Sequence, residues 1–251
     1  GSGLKLGIGY DQSYGIETVK AISPYVNNRR ADITGAHRGL PTAARKPLGP
    51  DVWDTSSGEN AIGLSFKNDL AAISFGFTPV RDINTSTDAI PTTGASEYGT
   101  ASSIGVKLTP VDGLTIGFGT SSEESDATAN SDPKGTTIGF QYKIGSFAIG
   151  YQEIENELDD TTTQRVTTTE IQEGGVAYKV NDALTIGVYA ANINYLTVNT
   201  DNGVETGMGI VQVGYNLGPA VIQYDYADGS DLNGTKAVSY THLTLPTILP
   251  V

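Results

Sequence analysis

The side chains that most often carry chemistry are sparse in this chain. It has no cysteine, and its two histidines, His37 and His242, stand far apart in the sequence. Without cysteine there is no thiolate zinc site, no iron–sulfur cluster, no cysteine nucleophile and no disulfide. The sequence also lacks a Gly-x-Ser-x-Gly elbow, a Walker loop and a His-Glu-x-x-His helix, the patterns that place a nucleophile, cradle phosphates or hold catalytic zinc. No catalytic residue, metal site or cofactor is predicted. The placement of basic residues is more informative. Lys5, Lys67, Lys107, Lys143 and Lys179 each fall near one end of an alternating apolar segment. Arg29, Arg30, Arg38, Arg45 and Lys46 crowd one interval, where Asp32 is the lone acid between residues 20 and 46. The chemistry open to such groups is electrostatic: they attract anions and repel cations.

The elements that must position these groups are strands. In Thr137–Ile144 the even positions, Ile138, Phe140, Tyr142 and Ile144, are apolar, and the odd ones are Thr, Gly, Gln and Lys. This period of two is the mark of a strand with one apolar face. After Gly145-Ser146 it resumes with Phe147, Ile149 and Tyr151, which predicts a hairpin with a tight turn. The same unit recurs around turns near residues 68, 111, 181 and 218, and Leu4, Leu6, Ile8 and Tyr10 form a leading strand. The tripeptide Ile-Gly-apolar occurs seven times, with its glycine always on the polar face. Repetition of one short unit predicts a repeated hairpin architecture of eleven or twelve strands.

Short turns alternate with long polar connections, expected at 11–58, 79–98, 120–135, 153–171, 193–207 and 228–235. That sorting of connections by end predicts an all-β, antiparallel up-and-down transmembrane β-barrel, with apolar positions toward lipid and polar positions toward water. Aromatic residues form two rows on the apolar face. Phe66, Tyr142, Phe147, Tyr178 and Tyr215 lie beside short turns, and Tyr10, Phe77, Phe118, Tyr151 and Tyr226 beside long connections. Two rows match the girdles at the two membrane interfaces, although Tyr and Phe favour strands in any setting. The five lysines would line the polar face near the short-turn mouth. They read either as a cationic ring or as solubilising edge residues.

The chain carries 28 acids and 15 bases, a formal charge of −13. That balance argues against nucleic acid as a partner, since phosphate backbones need a basic face. The acids are expected in the outer connections, among them Glu123, Glu124, Asp126, Glu153, Glu155 and Glu157. A solvated outer surface is the plain reading, and cation bridging to lipopolysaccharide is the sharper one. A structureless connection as long as residues 11–58 needs a reason inside a compact fold.

On hairpin phrases such as Gly139-Phe140-Gln141-Tyr142-Lys143-Ile144-Gly145-Ser146-Phe147 and Val213-Gly214-Tyr215-Asn216-Leu217-Gly218-Pro219, the sequence resembles the general diffusion porins of Gram-negative bacteria, of the alphaproteobacterial type. The resemblance covers residues 1–237. It implies a homotrimer of barrels with roughly 16 strands each, of which about 11 or 12 would be present here. It further implies an outer-membrane location, contact with membrane lipid and lipopolysaccharide, and passage of small hydrophilic solutes. In that family a long loop folds into the lumen. If residues 11–58 are that loop, Arg29, Arg30, Arg38, Arg45 and Lys46 are candidates for the constriction. Family loops of this kind often carry acids, so a basic one leaves the sign of the eyelet open. Four strands would then precede this chain.

Residues 238–251 break the pattern. Val238–Thr247 resembles translated sequencing-adapter sequence, and Pro246 and Pro250 interrupt this C-terminal stretch. A non-native tail is expected there, with a genuine proline-rich tail as the alternative. A secreted or surface β-rich adhesin and a substrate-specific outer-membrane channel are the other functions the pattern admits.

Overall fold

The computed structural model describes residues 3–9, 14–19, 22, 61–79, 98–125, 134–160, 165–197, 204–218, 221–230 and 238–244. Among them, twelve strands form one antiparallel sheet in strict chain order. They are β1 (Gly3–Gly9), β2 (Ala61–Lys67), β3 (Ala71–Thr78), β4 (Tyr98–Leu108), β5 (Leu114–Ser125), β6 (Lys134–Ile144), β7 (Phe147–Asp160), β8 (Arg165–Lys179), β9 (Leu184–Thr197), β10 (Val204–Asn216), β11 (Val221–Ser230) and β12 (Val238–Thr244). Every strand pairs with its sequence neighbour, which is the up-and-down arrangement expected from the repeated hairpins. β12 lies inside the stretch set apart above as a tail, and it pairs with β11 from Gly229↔Val238 to Gln223↔Thr244.

Three of the five short turns are built by asparagine. Asn68 Oδ1 accepts the backbone N–H groups of Leu70 and Ala71 at 2.9 and 2.8 Å. Asn181 Oδ1 does the same for Ala183 and Leu184, both at 2.8 Å, and Asn216 Oδ1 accepts from Gly218 at 2.8 Å. A side-chain carbonyl in this position imitates the backbone of a turn and satisfies N–H groups that the ladder leaves over.

The register sorts the side chains onto two faces of opposite character. One row across the sheet runs Leu6, Leu64, Phe75, Ile104. Its neighbour, one residue along, runs Gly7, Gly63, Gly76, Ser103, Ser121, Gly135, Asn156. The apolar row is the exposed one. Ile8 is 72% exposed, Leu6 66% and Phe147 51%, whereas Gln152 and Gln212 are 0% and Glu173 is 1% exposed. A protein folded in water buries its large apolar side chains and leaves long polar ones outside. This distribution is the reverse, and the exposed apolar surface far exceeds the few hundred Å² patches that soluble monomers tolerate. The aromatic rows lie on that same face: Phe66, Phe147, Tyr178 and Tyr215 at the short-turn end and Phe118 and Tyr226 at the other are all exposed. The Phe147 and Tyr178 rings pair across β7 and β8 with centroids 4.6 Å apart.

Several connections are shorter than the sequence pattern implied. β7 continues to Asp160 and β8 begins at Arg165, so most of the expected loop 153–171 is paired strand. Likewise β5 reaches Ser125 and β6 starts at Lys134. Glu153, Glu155 and Glu157 therefore sit on β7 rather than in a loop. They share the face of Phe147, Ile149 and Tyr151, beyond the end of the apolar band. In that stretch the pattern inverts. Ile154 and Ile171 take the opposite face, paired with each other, and both are fully buried. The ladder goes on after the membrane-like alternation has stopped, and the alternation alone could not show that.

Candidate functional site

The long connection after β1 enters the polar face. Its described part opens with a 3-10 turn, Gly15–Thr18, preceded by an extended Tyr14. Val19 N–H closes the turn on the Ile16 carbonyl at 2.9 Å, and Thr18 Oγ1 donates to the Gly15 carbonyl at 3.0 Å. Gly15 has φ +65, a conformation that side chains rarely adopt, and a Cβ there would overlap Ser103 Oγ.

The turn is tied to the wall at successive strands. Gly15 N–H donates to Ser74 Oγ on β3 at 2.8 Å, and Ile16 N–H to Ser103 Oγ on β4 at 3.3 Å. Further on, Gln152 on β7 takes hold of the backbone twice. Its Nε2 donates to the Val19 carbonyl at 3.1 Å, and its Oε1 accepts from Ile22 N–H at 3.0 Å. The same Nε2 donates to Thr137 Oγ1 on β6 at 2.9 Å, which fixes which way round the amide sits. From β3 to β7 is four strand spacings, about 19 Å. The segment crosses that distance in the eight residues from Gly15 to Ile22, so it runs across the strands and not along them.

Apolar side chains complete the attachment. Ile16, Val19 and Ile22 are buried against the wall. The wall makes room by being glycine: a Cβ on Gly119 would lie 2.6 Å from both Ile16 Cγ1 and Val19 Cγ2, and one on Gly117 would overlap Ile22. Tyr14 takes the space above Gly7 and Gly63 in the same way. Burying each of the three aliphatic chains is worth about 1.5–3 kcal/mol, so the packing holds the segment more strongly than any single hydrogen bond, at about 0.5–1.5 kcal/mol.

The basic residues expected at a constriction, Arg29, Arg30, Arg38, Arg45 and Lys46, lie outside the described residues, as does His37. Lys5, Lys67, Lys107, Lys143 and Lys179 all take polar-face positions in the register. Lys67 and Lys107 flank Ala72 in one row. Lys5 faces Ser65 on β2, and Lys143 faces Ala148 on β7. Lys179 differs from the others: its Nζ meets Asp182 Oδ1 at 2.8 Å. Five equivalent charges in a ring is therefore too simple a description. Tyr189, the one aromatic expected on the polar face, is buried and packs over Gly175 and Gly187, so it offers no exposed ring for a solute to slide along.

Sequence reasoning did not single out Tyr14, Ile16, Val19, Ile22, Ser74, Ser103 or Gln152. A faint signal was present, since Ile16, Val19 and Ile22 recur every three residues, the repeat that stacks side chains on one side of a 3-10 turn.

Comparison with known proteins places this geometry. The sequence model of the family described as Gram-negative porin matches residues 3–239. No curated protein sequence is significantly similar to the chain. Among solved structures, the loop L8 deletion mutant of OmpT, an outer membrane protein of Vibrio cholerae, aligns with a TM-score of 0.62 at 14% identity, over 96% of this chain and 74% of that one. A porin structure refined at 1.8 Å resolution aligns with a TM-score of 0.58 at 16% identity, over 96% of this chain and 76% of that one. The anion-selective porin from Comamonas acidovorans gives 0.56 at 14% identity, over 74% of this chain and 54% of that one. At these identities the structural likeness speaks to the fold, an antiparallel outer-membrane β-barrel.

Proposed function

The chain belongs to the Gram-negative porin family and is an outer-membrane porin, and from that premise we propose how its channel works. Small hydrophilic solutes and ions cross by passive diffusion through a water-filled lumen lined by the polar face. The observation that carries this reading is the inverted burial, with Leu6, Ile8 and Phe147 exposed on one face and Gln152, Gln212 and Glu173 buried on the other. Exposed apolar side chains facing lipid remove the solubility problem they would pose in water.

The segment on the polar face narrows the lumen. Its beginning is anchored at Ser74, Ser103 and Gln152, and Arg29, Arg30, Arg38, Arg45 and Lys46 come next in sequence as the groups that set size and charge at the constriction. Lys5, Lys67, Lys107 and Lys143 add a positive field at the short-turn mouth, with Lys179 largely offset by Asp182. A positive lumen admits small anions more readily than cations. The protein acts as a channel and not as an enzyme, and it needs no cofactor. It assembles as a homotrimer, with membrane lipid and lipopolysaccharide against its apolar face. The family match ends at residue 239, while β12 carries the sheet on to Thr244 by pairing with β11.

The test is a planar-bilayer recording with a salt gradient, beside liposome swelling by sugars of increasing size. Discrete conductance steps, a reversal potential on the anion side, and swelling that falls off with solute size are expected. Deleting residues 27–47 should raise the single-channel current. A protein that stays in solution without detergent and yields no current would instead be an adhesin or structural protein.

A further inference from the structure

The Gln152 side chain is fully buried, lies 130 residues from Ile22 in sequence, and holds the segment by both ends of its amide. Ser74 and Ser103 each accept one N–H from the 3-10 turn. Gln152 instead accepts from Ile22 and donates to Val19, so one side chain holds the backbone at two points. We infer that Gln152 is the positioning residue that fixes the backbone at Val19 and at Ile22 to the wall at β7 and thereby sets how much lumen the segment leaves open.

The chemistry favours glutamine at this position. The backbone presents a donor at Ile22 and an acceptor at Val19, and a carboxamide can answer both at once without charge. A Thr hydroxyl at the same site could not span both groups, and an ionised Glu could accept from Ile22 but would face the Val19 carbonyl with like polarity. Thr137 orients the amide through Nε2 and is itself held by donating to the Glu153 carbonyl at 3.0 Å. The grip is therefore rigid on the wall side. The turn upstream keeps its own anchors at Ser74 and Ser103, so loss of Gln152 frees the backbone at Val19 and at Ile22 and leaves Gly15–Thr18 in place.

The absence of cysteine from the chain permits a direct test on the full chain in detergent. Ile22→Cys is labelled with a water-soluble maleimide in the parent and in the Gln152→Ala background. Removing two hydrogen bonds to the segment should raise the labelling rate about tenfold, while a cysteine at Thr18 should label at an unchanged rate. Equal rates at position 22 in the two backgrounds would overturn the inference, whether or not the protein conducts.

A second arm rests on the porin reading and uses planar bilayers. Gln152→Ala should change the unitary conductance and broaden the open-channel noise at unchanged thermal stability of the barrel. Pinning the segment again should reverse this. A Cβ at Gly117 falls beside the Ile22 side chain, so the Gly117→Cys, Ile22→Cys pair stands within disulfide reach. Oxidation of that pair in the Gln152→Ala background should restore the parent conductance, and reduction should remove it again. Parent-like conductance of Gln152→Ala before oxidation refutes the control of the lumen. Absence of any current from the parent refutes the porin reading alone and leaves the labelling result to decide the anchor.

Discussion

The ring of Tyr14 occupies the space that a side chain on Gly63 would fill. One residue belongs to the segment crossing the polar face and the other to the wall, so the bare backbone of β2 is what lets the segment start its crossing so close in. Replacing Gly63 with leucine should expel the ring. Overpacking of this kind costs about 1–3 kcal/mol. Urea unfolding in detergent, read by β-structure content, should show that loss. Combining it with Tyr14→Ala should recover part of it, because residues in direct contact couple. Strict additivity of the two changes would show that ring and glycine do not share the space.

The hydroxyl anchors make a separate prediction. In Ser74→Ala and Ser103→Ala the N–H groups of Gly15 and Ile16 lose their acceptors while still buried, at about 1–3 kcal/mol each. Amide hydrogen exchange should accelerate at Gly15 after the first change and at Ile16 after the second. Exchange at the β6–β7 ladder should stay as it was. Faster exchange spread over the whole sheet would mean that the hydroxyls stabilise the strands and not the turn.

The fold was legible where a single period governed a whole strand. Thr137–Ile144 alternates without exception, and the structure pairs all of it, with Phe140 outward and Gly139 inward. Legibility failed where the environment changed along one strand. From Glu153 onward β7 leaves the apolar band, its outward positions become acidic, and Ile154 is left inward. A rule that looks for apolar outward positions sees a loop there, although backbone pairing needs no such contrast. The docked segment was hidden for another reason. Gln152 looks like any polar-face residue until the chain brings Val19 to it, and contacts of such sequence separation leave no local trace. The glycines were visible as a polar-face series, but their use, to seat Ile16, Val19 and Ile22, depends on that same long-range approach.

The depth of the apolar band can be measured along one strand. Phe140 and Thr136 lie on the same outward face of β6, about 13 Å apart at the rise of a strand. Phe140→Arg puts a charge toward the middle of the band and should cost about 2–4 kcal/mol. Thr136→Arg lies beyond the band and should cost about 0–1 kcal/mol. Refolding titrations into lipid vesicles would give both values. Equal costs would contradict a membrane band that ends between these two positions.

The lysines should not act alike on ion selectivity. Lys179 lies 2.8 Å from Asp182, and that pairing, by hydrogen bond first and by charge second, holds the Asp182 carboxyl below the usual carboxylate range. A carboxyl depressed in the folded state contributes in full above its unfolded value, about 3.9, and the contribution is lost as pH falls from there through the lower folded one. Both groups are largely open to solvent, so the effect on stability is small. The effect on the field at the mouth is direct. At neutral pH, Lys179→Gln should move the reversal potential less than Lys67→Gln or Lys107→Gln, because the lost charge was already offset. Asp182→Asn should do the opposite and strengthen the anion preference by unmasking Lys179. Titration of the Asp182 carboxyl by NMR in the Lys179→Gln protein should rise toward the ordinary value. Equal shifts for Lys179→Gln and Lys67→Gln, with Asp182→Asn silent, would show that the mouth reads only the number of lysines and not their pairing.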